Sequence, residues 1–483
     1  MNLFFPKLEA HMSDLSQTAN PDVDVTKHAP KGYAMYVFWV MFSISFLNYL
    51  DRNVLSGAAN VVARELGFGF DGIGVIASSF LVVYTISTIP LGIWADRTKR
   101  KNVVAISVAI WSLATAFTAF ANSFLTLFLS RMVLGIGEAG YFPAGTALMS
   151  DYFSRSRRSR IMSWWSVGQL IGILVGFVLG GVLAGMGKWR LAFLFTGIPG
   201  LLLAFLAWRL REPRRNEADE EEVALYPYTL GDVAEIEEPR PAIHISSNVF
   251  SQFGMLLRIK TLVVLIIMQI FAFFVLGVNI VFLPTYLQQL DIFGLSSGQA
   301  GLFSGAVIVL AGLVGTVLGG YMADWLNRRN QGARVLVCGI GFLLSAPSFA
   351  VAITTHNFLI FSVFFIVTTI LLTLYTGPST AATQDVVPAI LRASAIAVSL
   401  FIAHLLGDAF APTLVGFLAS AFDPTHGQHF AQNMGGQDLA RALLITCTPA
   451  LLIAGIVGIF GARWMKDDVA SAQEVDKLGL TSA

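Results

Sequence analysis

Asp51 and Arg52 lie in one long apolar stretch of the chain, and Arg131 and Glu138 lie in another. A charge near the centre of a bilayer costs roughly 2.5–3.5 kcal/mol even on lenient insertion scales, so four of them facing lipid would cost on the order of 10 kcal/mol. They must face a wet cavity or one another, and intramembrane acid–base groups mark an ion or substrate pathway. Burial and a neighbouring guanidinium act on a carboxylate in opposite senses, which places its protonation within reach of ordinary pH. Asp51 and Glu138 are therefore candidate proton carriers. Arg52 and Arg131 are candidate anchors for an anion, because a guanidinium offers a fixed fork to carboxylate or phosphate.

Spacing constrains how the four can meet. Asp51 and Arg52 are adjacent, so on a helix their side chains diverge by about 100°. One is expected to face the cavity and the other to face span 4, which carries Arg131 and Glu138. Those two are seven apart and share a helix face, about 10 Å from each other along the axis. Gly135, Gly137 and Gly140 thin that helix and let neighbours approach. The plainer alternatives are a static buried ion pair and, for Asp51, a charge at a helix boundary.

The second half of the chain is milder. His404 and Asp408 are four apart and share a face, with Pro412 beyond them. They read either as a polar patch on a cavity or as a hydrogen-bonded structural pair. Gln269, Asn279, Thr368, Thr369, Thr373, Tyr375 and Thr376 are further polar residues within apolar segments. Asn279 and Tyr375 join His404, Asp408, Arg52 and Arg131 as candidate substrate contacts. The cavity is expected to be charged on its first-half side and mostly apolar on the other.

The elements that must position these residues are membrane helices. Hydrophobic residues make up 55% of the chain and charged residues 13%, against about 25% charge in soluble domains. Mean hydropathy is +0.70. Apolar stretches long enough to cross a core of about 30 Å fall near 33–58, 72–95, 102–121, 124–149, 160–186, 190–210, 261–288, 297–323, 334–354, 357–379, 392–420 and 440–463. The fold class is thus all-α and polytopic, with six spans on either side of a polar linker, 212–258. That linker holds the acidic run Glu217, Asp219, Glu220, Glu221 and Glu222.

Residues 1–31 carry no secretory signal pattern, and residues 13–31 are polar; the opening MNLFFPKLEAHM differs from the chain that follows and has no functional weight. The six-helix units are bounded as 32–211 and 259–466, with a tail over 467–483. A net charge of +1 gives no sign of nucleic-acid binding, and Cys338 and Cys447 read as small hydrophobes within apolar segments. No P-loop and no metal-ligand cluster is evident, so neither an enzyme activity nor a cofactor is expected.

Basic residues crowd alternate loops: Arg97, Lys99, Arg100 and Lys101 after span 2, Arg155, Arg157, Arg158 and Arg160 after span 4, Arg209, Arg211, Arg214 and Arg215 after span 6, Arg328 and Arg329 after span 8. Loops on the other side are short and nearly free of them. The positive-inside rule places both termini and the linker in the cytoplasm.

The halves also repeat. Gly92-Ile-Trp-Ala-Asp96-Arg97-Thr-Lys-Arg100-Lys101 closes span 2, and Gly320-Tyr-Met-Ala-Asp324-Trp-Leu-Asn-Arg328-Arg329 closes span 8. This duplicated string resembles the signature loop of the major facilitator superfamily. The resemblance implies two six-helix bundles rocking about a central cavity by alternating access. It also implies a gating latch formed by Gly92, Asp96, Arg97 and Arg100 and, in the second half, by Asp324 and Arg328. Asp96 would accept hydrogen bonds from helix N-termini and basic side chains. Gly168, Gly172, Gly176 and Gly180 recur every four residues in span 5, a close-packing face expected to support the interface that rocks.

Four strings narrow the resemblance: LNYLDRNVLSG, RMVLGIGEAGYFPAGTALMSDYF with RSRIMS after it, WRLAFLFTGIPGLLLAFLAWRLREP, and HLLGDAFAPTLVG. They are similar to the Spinster-type branch, and the first two also suit a sister branch, the proton symporters of sugar acids. The Spinster resemblance implies a transporter of an amphiphilic anionic lipid such as a lysophospholipid or a sphingosine-phosphate-like molecule; Asp51 and Glu138 add the expectation of proton coupling, the short loops that of a bacterial inner membrane, and a monomer is expected. A symporter of small organic anions is the rival reading, and a membrane sensor that binds without transporting is the third.

Overall fold

The computed structural model describes residues 32–215, 217–220 and 254–481. The tail 1–31 and most of the linker, including Glu221 and Glu222, lie outside the described residues. Six helices make the first bundle: α1 (Tyr33–Leu66), α2 (Phe70–Arg97), α3 (Arg100–Thr118), α4 (Phe124–Tyr152), α5 (Ser156–Gly185) and α6 (Trp189–Arg209). The second comprises α7 (Lys260–Gln288), α8 (Ser297–Asn327), α9 (Ala333–Thr354), α10 (Phe358–Val386), α11 (Ser394–Phe422) and α12 (Gly436–Gly461). A further helix, α13 (Met465–Thr481), follows. Among the described residues eleven helices are long and apolar enough to cross a membrane. The twelfth rod is α4, which carries Arg131, Glu138 and Asp151.

Close backbone packing sets the phase of the helices that carry charge. Gly168, Gly172, Gly176 and Gly180 of α5 lie against Phe42, Phe46, Leu50 and Val54 of α1, one step of four for another. A side chain at any of these glycines would meet α1 backbone. The stripe therefore packs within the first bundle and not at the interface that rocks, correcting the expectation. It grips α1 on both sides of Asp51 and Arg52, so their directions are fixed by the fold. The interface between bundles uses the neighbouring face of α5, where Gly181 meets Ser297 and Gly301 of α8.

Among the described residues the bundles meet at one end only. α1 faces α7, α2 faces α11 and α5 faces α8. Every hydrogen bond between bundles among the described residues lies at the end away from the basic loops, here the distal end. Asn60 donates to Asn433 (2.9 Å), Gln289 donates to Asn60 (3.3 Å) and the Thr413 amide donates to Ser78 (3.2 Å). Phe70 packs edge-on against Phe430 with centroids 4.7 Å apart. The cavity between the bundles is closed distally and splayed toward the basic loops.

Candidate functional site: a caged arginine in the central cavity

α1 and α4 bring the first-half charges together. Arg52 Nε donates to Glu138 Oε2 at 2.5 Å, and Glu138 is wholly buried. Three rings surround the guanidinium: Tyr84 at 4.5 Å, Tyr49 and Phe80 each at 5.3 Å. The glycines of α4 make this possible. A side chain at Gly135 would meet the α2 backbone at Phe80 and Tyr84, and one at Gly137 would meet α3 at Trp111. Cation–π contact of this kind contributes roughly 0.5–2 kcal/mol per ring depending on desolvation. The Arg52 side chain keeps 21% of its surface exposed, so its free N–H groups face the cavity.

Asp51 points elsewhere. It is buried, accepts a hydrogen bond from the Thr115 hydroxyl on α3, and does not line the cavity. Arg52 both faces the cavity and reaches span 4, so the expected division of labour between the two neighbours is corrected. Arg131 lines the cavity, donates to Thr118 at 3.1 Å and lies 5.0 Å over the Phe193 ring. It interacts electrostatically with both Asp51 and Glu138 without pairing tightly with either. One oxygen of Asp51, one of Glu138 and Arg131 Nε have no hydrogen-bond partner.

Across the cavity His404 and Asp408 occupy a π-helical turn of α11, a distortion often found at functional positions. His404 Nδ1 lies 3.0 and 3.2 Å from the two Asp408 oxygens. The cavity of about 200 Å³ is lined by Arg52, Arg131, His404 and Asp408 and otherwise mainly by apolar and aromatic side chains. Asn279 and Tyr375 are not brought to it. Asn279 turns back to donate to the Val275 carbonyl (2.7 Å). Tyr375 is buried at the break in α10, its ring against Phe342. The threonines of α10 likewise bond their own helix, the usual way for such hydroxyls to be satisfied.

The basic end holds a two-fold repeated ion-pair arrangement that differs from the expected latch. Arg100 pairs with Asp151, and Arg334 pairs with Asp385 and more loosely with Asp324 (3.3 Å). The separation is 51 residues for each main pair. Arg334, not the exposed Arg328, is thus the partner of Arg100 in the repeat. Asp96 is exposed and contributes its backbone carbonyl to Arg215, while Glu212 accepts from the Arg100 and Lys101 amides (2.8 and 3.0 Å) at the N-terminus of α3. Gly92 leaves open space, and Arg97 is exposed. Arg334→Ala is expected to cost about 1 kcal/mol, since Asp385 is one-third exposed. The apparent melting temperature should fall by about 2 °C, and an unchanged thermal-shift curve would show the pair to be idle.

Residues 41–412 match the family profile of the Major Facilitator Superfamily. The chain belongs to that superfamily. It is an integral membrane protein and a secondary transporter of a small molecule, not an enzyme, and among relatives it is closely similar to the Spinster branch. The mouse sphingosine-1-phosphate transporter SPNS2 is 27% identical over 90% of this chain and 79% of its own length. A probable galactarate/D-glucarate transporter, GudP, of Escherichia coli K12 is 28% identical over 69% of this chain and 75% of its own. The crystal structure of a bacterial homologue of the human lysosomal transporter Spinster, inward-facing and unoccupied, superposes with a TM-score of 0.77 at 23% identity, covering 92% of this chain and 99% of that one. The shared architecture is the two-bundle fold seen here.

Sequence reasoning missed Tyr49, Phe80 and Tyr84, although Tyr49 lies three before Arg52 and Phe80 lies four before Tyr84, both helical neighbour spacings. It also missed Thr115 and Thr118, which serve Asp51 and Arg131 from one face of α3.

Proposed function

We propose that the protein is a proton-coupled transporter of an amphiphilic anion, a lysophospholipid or a sphingosine-phosphate-like lipid, in a bacterial inner membrane with both termini cytoplasmic. The observation that supports it best is the caged Arg52: one forked cation, partly exposed, at the rim of a cavity whose remaining surface is chiefly apolar. A phosphate head would take the free guanidinium N–H groups, and an acyl or sphingoid chain would lie on Ile76, Leu134, Ile280 and Val281. With the basic end in the cytoplasm, the splayed state is inward-open. The chain's likeness to SPNS2, whose name states a lipid substrate, favours this reading.

Coupling would run through Glu138. Ionised, it holds Arg52; protonated, it releases the guanidinium to the anion. Asp51 would play the matching part for Arg131 through Thr115 and Thr118. In proteoliposomes Asp51→Asn and Glu138→Gln are each expected to flatten the pH dependence of uptake, and unaltered pH dependence in both would reject proton coupling.

The rival, a symporter of sugar acids, is favoured by the likeness to GudP. A polyhydroxylated anion needs several hydrogen-bonding groups around it; Asn53, Ser56, Tyr84 and the His404–Asp408 pair support that reading, whereas the wall of Ile76, Leu134, Ile280 and Val281 supports a lipid. A competition assay on purified protein separates the two: displacement by galactonate but not by lysolipids would favour the rival.

A further inference from the structure

The connection between α11 and α12 forms part of the distal gate, and a histidine ties its two ends together. Asp423, at the end of α11, and Asp438, in the first turn of α12, are both buried. His429, midway along the connection, places Nδ1 2.9 Å from an Asp438 oxygen and 3.3 Å from an Asp423 oxygen. Asp423 also accepts from the Thr425 and Gly427 amides (2.8 Å each). Asp291, on the connection from α7 to α8, holds the Gly436 and Gln437 amides beside them. Two carboxylates therefore meet one imidazole, and the charge of a third lies nearby.

The same connection carries the contacts that close the distal end. Phe430, next to His429, packs on Phe70 of α2. Asn433 accepts from Asn60 of α1 (2.9 Å) and donates to the Gln288 carbonyl (2.6 Å). His426 and Asn433 both sit at positive φ (54° and 62°), a backbone state that non-glycine residues keep only when their surroundings hold them there. A pocket of about 660 Å³ at this end, lined by Arg64, Asp71, Asp423 and His426, brings solvent to the cluster.

We propose that His429 is a proton-operated clamp on the distal gate: protonated, its charge holds Asp423 and Asp438 together and keeps the connection against α1 and α2, and without the proton the distal end opens more readily. Both carboxylates meet the same ring nitrogen, so the two protonation states share one Nδ1–H contact and differ in charge: a neutral ring leaves two buried like charges facing each other without a counter-charge. The hydrogen bond to Asp438 raises His429 above the usual imidazole range; burial opposes this, and the charges of Asp423, Asp438 and Asp291 add to the rise. The sign follows. A raised pKa makes the closed gate's extra stability complete below the ordinary histidine value of about 6.5, and that stability is lost as pH climbs through the raised value. One linked proton changes the open-to-closed ratio by up to about tenfold per pH unit within that window.

The test is a distal-end distance, not transport, so it stands apart from proton coupling in the cavity. Spin labels at Asn122→Cys and His356→Cys report on opposite bundles, since Cys338 and Cys447 are buried. In nanodiscs without a pH gradient the distance should be short and narrow at acid pH, and should gain a longer population as pH rises above neutrality. His429→Gln should abolish that response, His429→Lys should keep the short distance across the range, and Asp51→Asn with Glu138→Gln should leave the response intact. A response that survives in His429→Gln, or disappears in the double carboxylate variant, overturns the proposal. So does a gate that opens on chelation of divalent cations and not on a change of pH.

Discussion

Arg52→Ala is expected to abolish high-affinity binding of the anionic substrate, weakening it by about 2–5 kcal/mol, or roughly 30-fold and more. The loss has two sources that can be separated. The first is the missing fork for the headgroup. The second is Glu138, wholly buried and 2.5 Å from the guanidinium, which loses its counter-charge. Breaking a buried pair from one side destabilises by about 3–5 kcal/mol because a charge is left uncompensated. In Arg52→Ala with Glu138→Gln the orphaned charge is gone, so thermal stability should recover while lysolipid binding does not. Arg52→Lys should fail as well, because an ammonium cannot hold Glu138, fill the cage of Tyr49, Phe80 and Tyr84, and present a fork at once. Titration of purified protein with a fluorescent lysolipid decides the matter: wild-type affinity in Arg52→Ala would remove this arginine from the site.

Much of that site could be read from the chain, and what could not has identifiable causes. A helix fixes the angle between Asp51 and Arg52 but not its absolute phase. The phase comes from the α5 stripe pressed against Phe42, Phe46, Leu50 and Val54, and pairing the two four-residue ladders in sequence would have supplied it. Matching the two loop strings sets Arg328 opposite Arg100. The second basic loop is longer: Arg334 lies ten positions after Asp324, whereas Arg100 lies four after Asp96. Arginine-to-aspartate spacing is the better guide, since it is 51 in each half. Asn279 and Tyr375 stand out in the sequence by polarity alone, and polarity on a membrane helix is commonly satisfied by that helix's own carbonyls. The gate at the distal end went unread because its groups, Asn60, Gln289 and Asn433, are neutral and far apart in the chain.

Neighbouring glycines on α5 should separate folding from switching. Gly180 faces α1 inside the first bundle, whereas Gly181 faces Ser297 and Gly301 of α8 across the interface. A Cβ at Gly181 would lie 3.0 Å from the Ser297 carbonyl carbon and closer still to its oxygen, and backbone cannot rotate aside as a side chain can. In the distal-closed state Gly181→Val therefore carries an overpacking cost of about 1–3 kcal/mol. Alternating access parts α5 from α8 at this end, so the cost falls on one state and the equilibrium moves toward distal-open by roughly 5–150-fold. Gly180→Val meets α1 in both states, because the first bundle moves as a unit; it should lower stability without moving the equilibrium. Gly185→Ala, whose nearest atom across the interface is Ser297 Cβ at 3.8 Å, should change neither. The distal label pair reads the equilibrium and thermal unfolding reads the stability. A distance distribution unaltered in Gly181→Val would mean that this contact is not the surface on which the bundles part.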